Sequence, residues 1–187
     1  MKKGRFIVIS GPSGVGKGTI CNRIMKDVNA WYSVSTTTRS PREGEVDGVN
    51  YFFITKDEFK KKIEDGEFLE YNIYNDNYYG TSKKVVLDKI NQGINVFSEI
   101  DVNGAHNIKK LFPDALLLYI APPSIEVLRE RLIGRGTETE EKINERLKIA
   151  EKELKEVDFY DYVVVNDDLD TATEEVKNII LNKMRDS

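Results

Sequence analysis

A glycine-rich turn near the N-terminus limits the fold of this chain more than any other feature of its sequence. An apolar run at residues 6–9 leads into Gly11, four residues, Gly16 and Lys17, and a helical pattern follows. Glycines let successive backbone N–H groups point at one phosphate, and the helix N-terminus adds partial positive charge. Because strand, lysine and helix are all in place, we interpret the turn as a nucleotide phosphate loop rather than a chance connection. The residues predicted to bind the triphosphate are Gly11, Pro12, Ser13, Gly14, Val15, Gly16, Lys17, Gly18 and Thr19.

The residue after Lys17 departs from the usual phosphate-loop pattern. A Ser or Thr hydroxyl normally ligates Mg²⁺ there, whereas this chain has Gly18 and places Thr19 one residue later. Mg²⁺ dehydrates reluctantly and usually keeps several waters. We therefore expect no direct protein ligand for the metal, which would be held mainly by phosphates and water. Lys17 itself is predicted to act on the β- and γ-phosphates.

Apolar runs of strand length alternate with helical patterns along most of the chain. The apolar character is continuous within each run, which is typical of strands buried on both faces of a parallel sheet. An α/β fold with a central parallel sheet is therefore predicted. Residues 36–79 break the pattern with short polar-aromatic pieces and are expected to form an inserted region of mixed strands. The predicted strands of the parallel sheet are residues 6–9, 94–100, 115–120 and 162–165.

Capping signals mark the ends of two predicted helices. Thr55 with Glu58 has the spacing of a capping box, and Gly66 is a stop signal after the same helix. Thr171 with Glu174 is interpreted in the same way, as the start of the C-terminal helix.

The composition excludes several classes of chemistry. At 187 residues with 40% apolar side chains, the chain can bury the core of one domain. Cys21 is the only cysteine and His106 the only histidine, which excludes disulfide frameworks, Cys-rich zinc sites and His-based metal sites or triads. The net charge of -4 argues against a broad nucleic-acid-binding surface.

The sequence predicts a cytoplasmic protein with no membrane partner. Residues 1–3 followed by the apolar run 6–9 resemble the start of a signal peptide, but the run ends at Ser10 and is too short. The longest other apolar stretch, residues 115–121, is far shorter than a membrane span. The oligomeric state stays open.

Two arginines and two tyrosines form a second candidate phosphate site. Arg39 and Arg42 lie three residues apart around Pro41, and Tyr51 and Tyr79 follow in settings typical of turns. Two guanidinium forks and two phenol donors are suited to clamping one phosphate group. A solvated charged loop with packed tyrosines fits the residues alone equally well.

Two carboxylates adjoin predicted strands. Asp101 ends the run 94–100, and Glu70 follows Phe68 and Leu69. Ligands of α/β proteins bind at strand ends, which makes both residues candidates. On the residues alone, a helix cap for Asp101 and an exposed strand position for Glu70 are the favoured interpretations.

Several separated motifs occur in an order that resembles the guanylate kinases. This agreement covers nearly the whole chain and is far more specific than the phosphate loop alone. The motifs are residues 11–17, 35–45, Glu70, 77–81, 121–124, 134–137 and 165–168.

The resemblance implies ATP:GMP phosphotransfer, giving ADP and GDP in purine nucleotide metabolism, with Mg²⁺ accompanying ATP. It also implies the fold of a nucleoside monophosphate kinase, built on a P-loop NTPase-type core. That core would comprise about residues 1–34, 82–125 and 157–187, with a GMP-binding region at about 35–81 and a helical lid at about 126–156.

The resemblance further implies roles for individual residues. The GMP phosphate would be held by Arg39, Arg42, Tyr51 and Tyr79. The guanine would be read by Ser35, Glu70, Thr81 and Asp101. Catalysis would use Lys17 with the lid arginines Arg135 and Arg146, and Asn166 would lie by the adenine.

Two other functions stay open. A kinase of the same superfamily could act on a different monophosphate or a sugar phosphate. A non-catalytic guanylate-kinase-like binding module is the alternative from another class. The presence of Lys17 and the single predicted domain favour the enzyme over the module.

Overall fold

The computed structural model of the chain describes residues 3–136 and 138–185. Met1 and Lys2 of the predicted N-terminal segment, and Thr137 of the motif at 134–137, lie outside the described residues. A 3₁₀ helix, Leu154–Phe159, follows the sixth α-helix. In chain order the other elements are β1 (Phe6–Ser10), α1 (Lys17–Ile24), β2 (Ala30–Tyr32), β3 (Thr36–Thr37), β4 (Phe52–Phe53), α2 (Lys56–Glu64), β5 (Phe68–Tyr74), β6 (Asn77–Ser82), α3 (Lys83–Asn91), β7 (Asn95–Glu99), α4 (Val102–Leu111), β8 (Leu116–Ala121), α5 (Ile125–Gly134), α6 (Glu140–Glu153), β9 (Tyr162–Val165) and α7 (Leu169–Arg185).

The fold is α/β, with a central parallel sheet flanked by helices and a second, mixed sheet. This confirms the fold class predicted from the sequence. The chain divides into two compact units. Unit 1 comprises Met1–Phe6, Ala30–Glu99 and Asn103–Ala115, and unit 2 comprises Ile7–Asn29, Ile100–Val102 and Leu116–Ser187.

In unit 2, β8 lies between β1 and β9 and pairs in parallel with both. Every residue of β1 and β8 is buried, as their continuous apolar runs predict. The same expectation is wrong for β9, where Val163 is 42% and Val165 51% exposed. Side chains two residues apart share a face of a strand, so one face of this edge strand is open to solvent.

Helices α5 and α6 of unit 2 begin at side-chain caps. Ser124 Oγ accepts from Val127 N at 3.2 Å, and Thr139 Oγ1 accepts from Lys142 N at 3.4 Å. Helices α5 and α6 pack against each other through one apolar cluster. Its buried members are Leu128, Leu132, Ile143, Leu147 and Ala150.

The C-terminal helix does not begin at Thr171. It begins at Leu169, because Asp168 Oδ1 accepts from both Thr171 N at 2.8 Å and Thr171 Oγ1 at 2.6 Å. Aspartate is as good a cap as threonine, and here it takes the N–H of the residue that the sequence suggested as the start.

Unit 1 holds the parallel pair β2–β7 and the mixed sheet in the order β4-β3-β6-β5. Strand β3 is parallel to β4 and antiparallel to β6, and β6 is antiparallel to β5. The turn between β5 and β6 is made by Asn75 and Asp76, whose φ angles are 50° and 62°. Tyr79 therefore lies in a strand, which corrects the expectation that it lies in a turn.

Helix α2 covers the mixed sheet of unit 1. Its capping box forms as predicted, with Thr55 Oγ1 accepting from Glu58 N and Glu58 Oε2 from Thr55 N. Phe59 is fully buried and stacks on Phe68 with ring centroids 4.4 Å apart. A Cβ on Gly80 would approach both rings within 3 Å, so this strand position requires glycine.

Within residues 3–136 and 138–185, none of the helices combines the length and the apolar character that crossing a membrane would need.

Candidate active site

The phosphate loop lies in unit 2 between β1 and α1, as predicted. Gly11 has a φ of 151° and Gly16 a φ of 93°, in the region that favours glycine. A Cβ would also stand 2.5 Å from Ile120 O at Gly11, and 2.6 Å from Asn166 Nδ2 at Gly16. Since Lys17 is the first residue of α1, the loop ends at a helix N-terminus, where anions bind favourably.

Side chains along the loop differ in exposure. Lys17 Nζ donates to Gly11 O at 2.9 Å, which folds the ammonium back over the loop. Pro12 and Val15 are buried, whereas Gly18 and Thr19 are exposed on the first turn of α1. The residue beside Lys17 thus offers no side-chain oxygen.

Asn166 packs against the loop from the end of β9. Its backbone N–H donates to Ala121 O at 2.9 Å, and its side chain is buried. Nδ2 donates to Val15 O at 2.7 Å, while Oδ1 is buried with no partner among the described residues. One end of the amide therefore supports the loop, and the other is a buried acceptor.

The two predicted lid arginines differ in position. Arg146 of α6 donates to Ser13 Oγ in the phosphate loop and pairs with Glu138 Oε1. Its side chain is only 11% exposed. Arg135 is exposed at the C-terminal end of α5. The structure thus brings Arg146 into contact with the loop.

Charged and phenolic side chains influence Glu153, the half-buried last residue of α6. Burial raises the pKa of Glu153 to about 7, while the Lys17 charge lowers it and the Asp101 charge raises it. Glu153 Oε2 has no hydrogen-bond partner among the described residues. Burial and the Glu153 charge also raise the pKa values of Tyr119 and Tyr160, whose ring centroids are 5.1 Å apart. Asp101 and Lys17 therefore act electrostatically on one carboxylate.

The arginine–tyrosine segment forms a cluster in unit 1. The Arg39 guanidinium lies 5.5 Å from the centroid of the Tyr51 ring, and the Tyr51 and Tyr79 rings are 6.0 Å apart. Burial opposes the charge of Arg39, but hydrogen bonding and attraction from Glu45 outweigh it and raise the Arg39 pKa. Burial, with the Glu99 charge, raises the pKa of Tyr51 to about 12, so its phenol keeps its proton near neutral pH. Arg42 lies in the same loop with an exposed side chain.

Glu70 and Thr81 face each other across β5 and β6. They are register partners, next to an irregularity between Phe68 and Glu70. Thr81 is fully buried and donates its hydroxyl to Glu70 Oε1 at 2.5 Å. Glu70 is only 7% exposed, so the exposed-strand interpretation is wrong. Ser35 is half-buried beside β3, where its carbonyl accepts from Phe52 N at 2.9 Å.

Comparisons with known proteins agree on one family. The sequence model of the guanylate kinase family matches residues 3–183. A guanylate kinase of Clostridium acetobutylicum is 51% identical over 180 residues, covering 96% of this chain and 86% of that protein. The chain belongs to the guanylate kinase family. A crystal structure of guanylate kinase from Anaplasma phagocytophilum matches with a TM-score of 0.83 and 32% identity, covering 97% of this chain and 87% of the other.

The family membership expected from the motif order is thereby confirmed. In unit 2, the side chains of Lys17, Asn166 and Arg146 contact the residues of the phosphate loop. Arg39, Tyr51 and Tyr79 lie together in unit 1. Glu70 and Thr81, also in unit 1, are joined by a hydrogen bond. Asp101 belongs to unit 2.

Three glutamates next to these residues were missed by the sequence analysis. Glu45 contacts Arg39, Glu138 contacts Arg146, and the charge of Lys17 lowers the pKa of Glu153. In none of these pairs do both residues lie on the same helix or strand, so neither the helical nor the strand period brings them together. The only signal for Glu45 was its place in the motif at 35–45 with Arg39, and Glu138 directly follows the motif at 134–137.

Proposed function

We propose that this chain is an ATP:GMP phosphotransferase that forms ADP and GDP in purine nucleotide metabolism. Its family and its 51% identity to a guanylate kinase support the reaction class. The observation that carries the choice of acceptor is the buried Glu70 carboxylate in β5, which accepts a hydrogen bond from Thr81 in β6.

The donor triphosphate is assigned to unit 2. Backbone N–H groups of the loop and the N-terminus of α1 bind its phosphates, and Lys17 neutralises charge on the β- and γ-phosphates. Arg146 is assigned to the transferred phosphoryl group, and its contact with Ser13 of the loop supports this role. Arg135 is assigned the same task from the lid. Asn166 is placed at the adenine, for which its buried Oδ1 is a suitable acceptor of an amino hydrogen.

Magnesium is proposed to enter with ATP. Residues 3–136 and 138–185 include no group of three or more His, Cys, Asp or Glu side chains arranged to hold a metal. Gly18 also lacks the hydroxyl that phosphate loops usually provide. Hard cations that keep their water suit phosphate oxygens as ligands, so the loop fits a metal bound mainly through ATP and water. When bound, Mg²⁺ neutralises charge on the phosphates.

The acceptor phosphate is assigned to Arg39, Arg42, Tyr51 and Tyr79. Guanidinium groups match the geometry of phosphate oxygens, and two protonated phenols add neutral donors. The high pKa of Tyr51 supports this role, because the phenol remains a donor throughout the physiological range.

Guanine presents N1–H and the exocyclic amino group as adjacent donors beside the O6 acceptor. An ionised carboxylate accepts from both donors, as it does from a guanidinium fork. We assign this contact to Glu70, a further amino hydrogen to Asp101, and O6 to the hydroxyl of Ser35. Thr81 is assigned to the same guanine site through Glu70, because its single hydroxyl hydrogen is donated to that carboxylate. Adenine has an acceptor at N1, where guanine has a donor, so a carboxylate at this place would face a lone pair.

The chemistry needs no covalent intermediate. Phosphoryl transfer depends on alignment and charge neutralisation, and the acceptor is already an anion, so no strong general base is required. Lys17, Arg135 and Arg146 supply the positive charge around the transferred group.

The region boundaries are proposed as in the sequence analysis, with a core at about residues 1–34, 82–125 and 157–187, a GMP-binding region at 35–81 and a lid at 126–156. A cytoplasmic location is proposed as well. The need for ATP and GMP supports it.

A coupled ADP-release assay with GMP, IMP, AMP, CMP and dTMP tests the function. A site built for donors rejects an analogue that lacks them by about 10⁴-fold, because its buried acceptors lose their partners. GMP should therefore be strongly preferred over AMP, and IMP should be intermediate, since it keeps N1–H but lacks the amino group. Equal use of GMP and AMP would contradict the assignment of guanine. Binding of GMP without any phosphotransfer would favour the binding module.

A further inference from the structure

Glu45 links both arginines of the acceptor cluster through one carboxylate. Its Oε1 accepts from Arg39 NH2 at 2.8 Å, and its Oε2 accepts from the backbone N–H of Arg42 at 2.7 Å. Glu45 N in turn donates to Arg42 O at 3.0 Å. The loop between the two arginines is therefore closed on itself by the Glu45 side chain and main chain.

The Arg39 guanidinium is held on several sides. NH1 donates to Ser40 O at 2.7 Å, and the group lies 5.5 Å from the Tyr51 ring centroid and 5.8 Å from that of Phe53. The side chains of Arg39 and Glu45 are only 15% and 18% exposed. A guanidinium has five N–H donors, so these contacts fix its plane and still leave donors for an anion.

Both arginine contacts depend on the ionised form of Glu45. Burial disfavours that form, but hydrogen bonds from Arg39 and from the Arg42 backbone outweigh burial and lower the Glu45 pKa. The carboxylate therefore stays charged near neutral pH. A phosphate monoester would not approach this anion as a ligand, so any contribution to binding must act through the arginines.

We propose that Glu45 is a positioning residue for the acceptor phosphate, which it serves by orienting the Arg39 fork and fixing the backbone of Arg42. The inference rests on the proposed function, because it assigns the clamp to a nucleoside monophosphate. Preorganised donors bind more tightly because the free protein does not have to order them on binding. Removing the carboxylate should thus weaken recognition of the phosphate and leave recognition of the base unchanged.

The test compares two ligands that differ only by the phosphate. Affinities for GMP and for guanosine are measured by calorimetry on the full chain, for the wild type, Glu45→Ala and Glu45→Gln. Glu45→Ala should weaken GMP binding by at least about tenfold, the loss expected for hydrogen bonds to charged groups. Glu45→Gln keeps one acceptor oxygen, so its GMP affinity should lie between those of the wild type and Glu45→Ala. Guanosine affinity should not change in either variant.

Matched controls separate positioning from loss of structure. Glu43→Ala removes an exposed carboxylate from the same loop and should alter neither affinity. In an Arg39→Ala background, Glu45→Ala should add little further loss, because the two residues act together. The melting temperature of each variant verifies that it is folded.

Several outcomes would overturn the inference. GMP affinity that is unchanged or tighter in both Glu45 variants would show that the carboxylate only repels the ligand. An equal loss of GMP and guanosine affinity would show a general defect. If Arg39→Ala weakens GMP binding and Glu45→Ala does not, Arg39 binds the phosphate without help from Glu45. A wild type that binds no GMP would instead refute the proposed function itself.

Discussion

At the scale of single residues, Lys17 tests the donor site most directly. The loop around it is held by backbone bonds such as Val15 N to Pro12 O and Ile20 N to Gly16 O. Lys17→Ala should therefore fold, losing about 1 kcal/mol for the bond from Nζ to Gly11 O. Turnover should fall by about 10²–10³-fold or more, because a contact to developing charge is removed. Steady-state kinetics and thermal melting measure the two effects, and near-normal turnover would refute the role of Lys17.

Glu153 gives a prediction about pH. Its pKa of about 7 in the folded chain exceeds the ordinary glutamate value, so the folded state binds the proton more tightly than the unfolded state. The stability contributed by the proton is present below the unfolded pKa and is lost as pH rises towards 7. Glu153→Gln, which is neutral at every pH, should match the wild type near pH 4 and exceed it by about 1–3 kcal/mol at pH 8.

Melting temperatures across this pH range test the Glu153 prediction. As a matched control, Glu151→Gln changes an exposed glutamate of the same helix and should follow the wild type at every pH. A stability difference between Glu153→Gln and the wild type that does not depend on pH would contradict the prediction.

At the scale of elements, the phosphate loop depends on two separate properties of Gly16. Its φ is 93°, and an added Cβ would lie 2.6 Å from Asn166 Nδ2. Gly16→Ala should therefore both strain the backbone and displace Asn166, and ATP affinity should fall by at least about tenfold. Gly66→Ala is the matched control, because Gly66 has a φ of 66° with nothing within 4 Å. It should cost about 1 kcal/mol of stability and leave ATP binding intact.

ATP affinity by calorimetry and unfolding in urea distinguish the two glycine variants. Equal effects on ATP binding would mean that the close contact with Asn166 has no influence on the loop.

Elements with a strong local signal could be predicted from the sequence. The fully buried strands β1 and β8 could be predicted because continuous apolar runs of strand length, alternating with helical patterns, are typical of a parallel sheet covered on both faces. The capping box of α2 was found because all of its atoms lie within four residues. The short strands β3 and β4, of two residues each, show no periodicity at all.

Side-chain partnerships between distant residues were harder to predict. Asn77 and Gly80 on either side of Tyr79 predict a turn, yet cross-strand pairing with Thr37 makes Tyr79 part of β6. Glu70 looked exposed by position, whereas pairing with Thr81 buries it. Each depends on which strands become neighbours, and that is decided by tertiary packing rather than by local propensity.

At the scale of the whole molecule, the residues proposed for the two substrates fall largely into different units. The loop, Lys17 and Asn166 belong to unit 2, and Arg39, Glu70 and Thr81 belong to unit 1. Each unit has its own sheet contacts and buried side chains. A substitution at a binding residue of one unit that does not unfold the chain should thus weaken binding of the substrate assigned to that unit. Binding of the other substrate should not change.

The crossed experiment pairs Glu70→Gln with Asn166→Ala. A glutamine at position 70 still accepts from Thr81 but replaces one oxygen by an amide NH₂, which faces a guanine donor with another donor. GMP binding should weaken by about 2–3 kcal/mol, and ATP binding should not change.

Asn166→Ala removes the bond to Val15 O and the buried acceptor, so ATP binding should weaken and GMP binding should persist. Calorimetric titration of each variant with each nucleotide gives four affinities. If either variant weakens both substrates equally, the assignment of ATP to unit 2 and GMP to unit 1 is wrong, because a local change would then be felt by the whole chain.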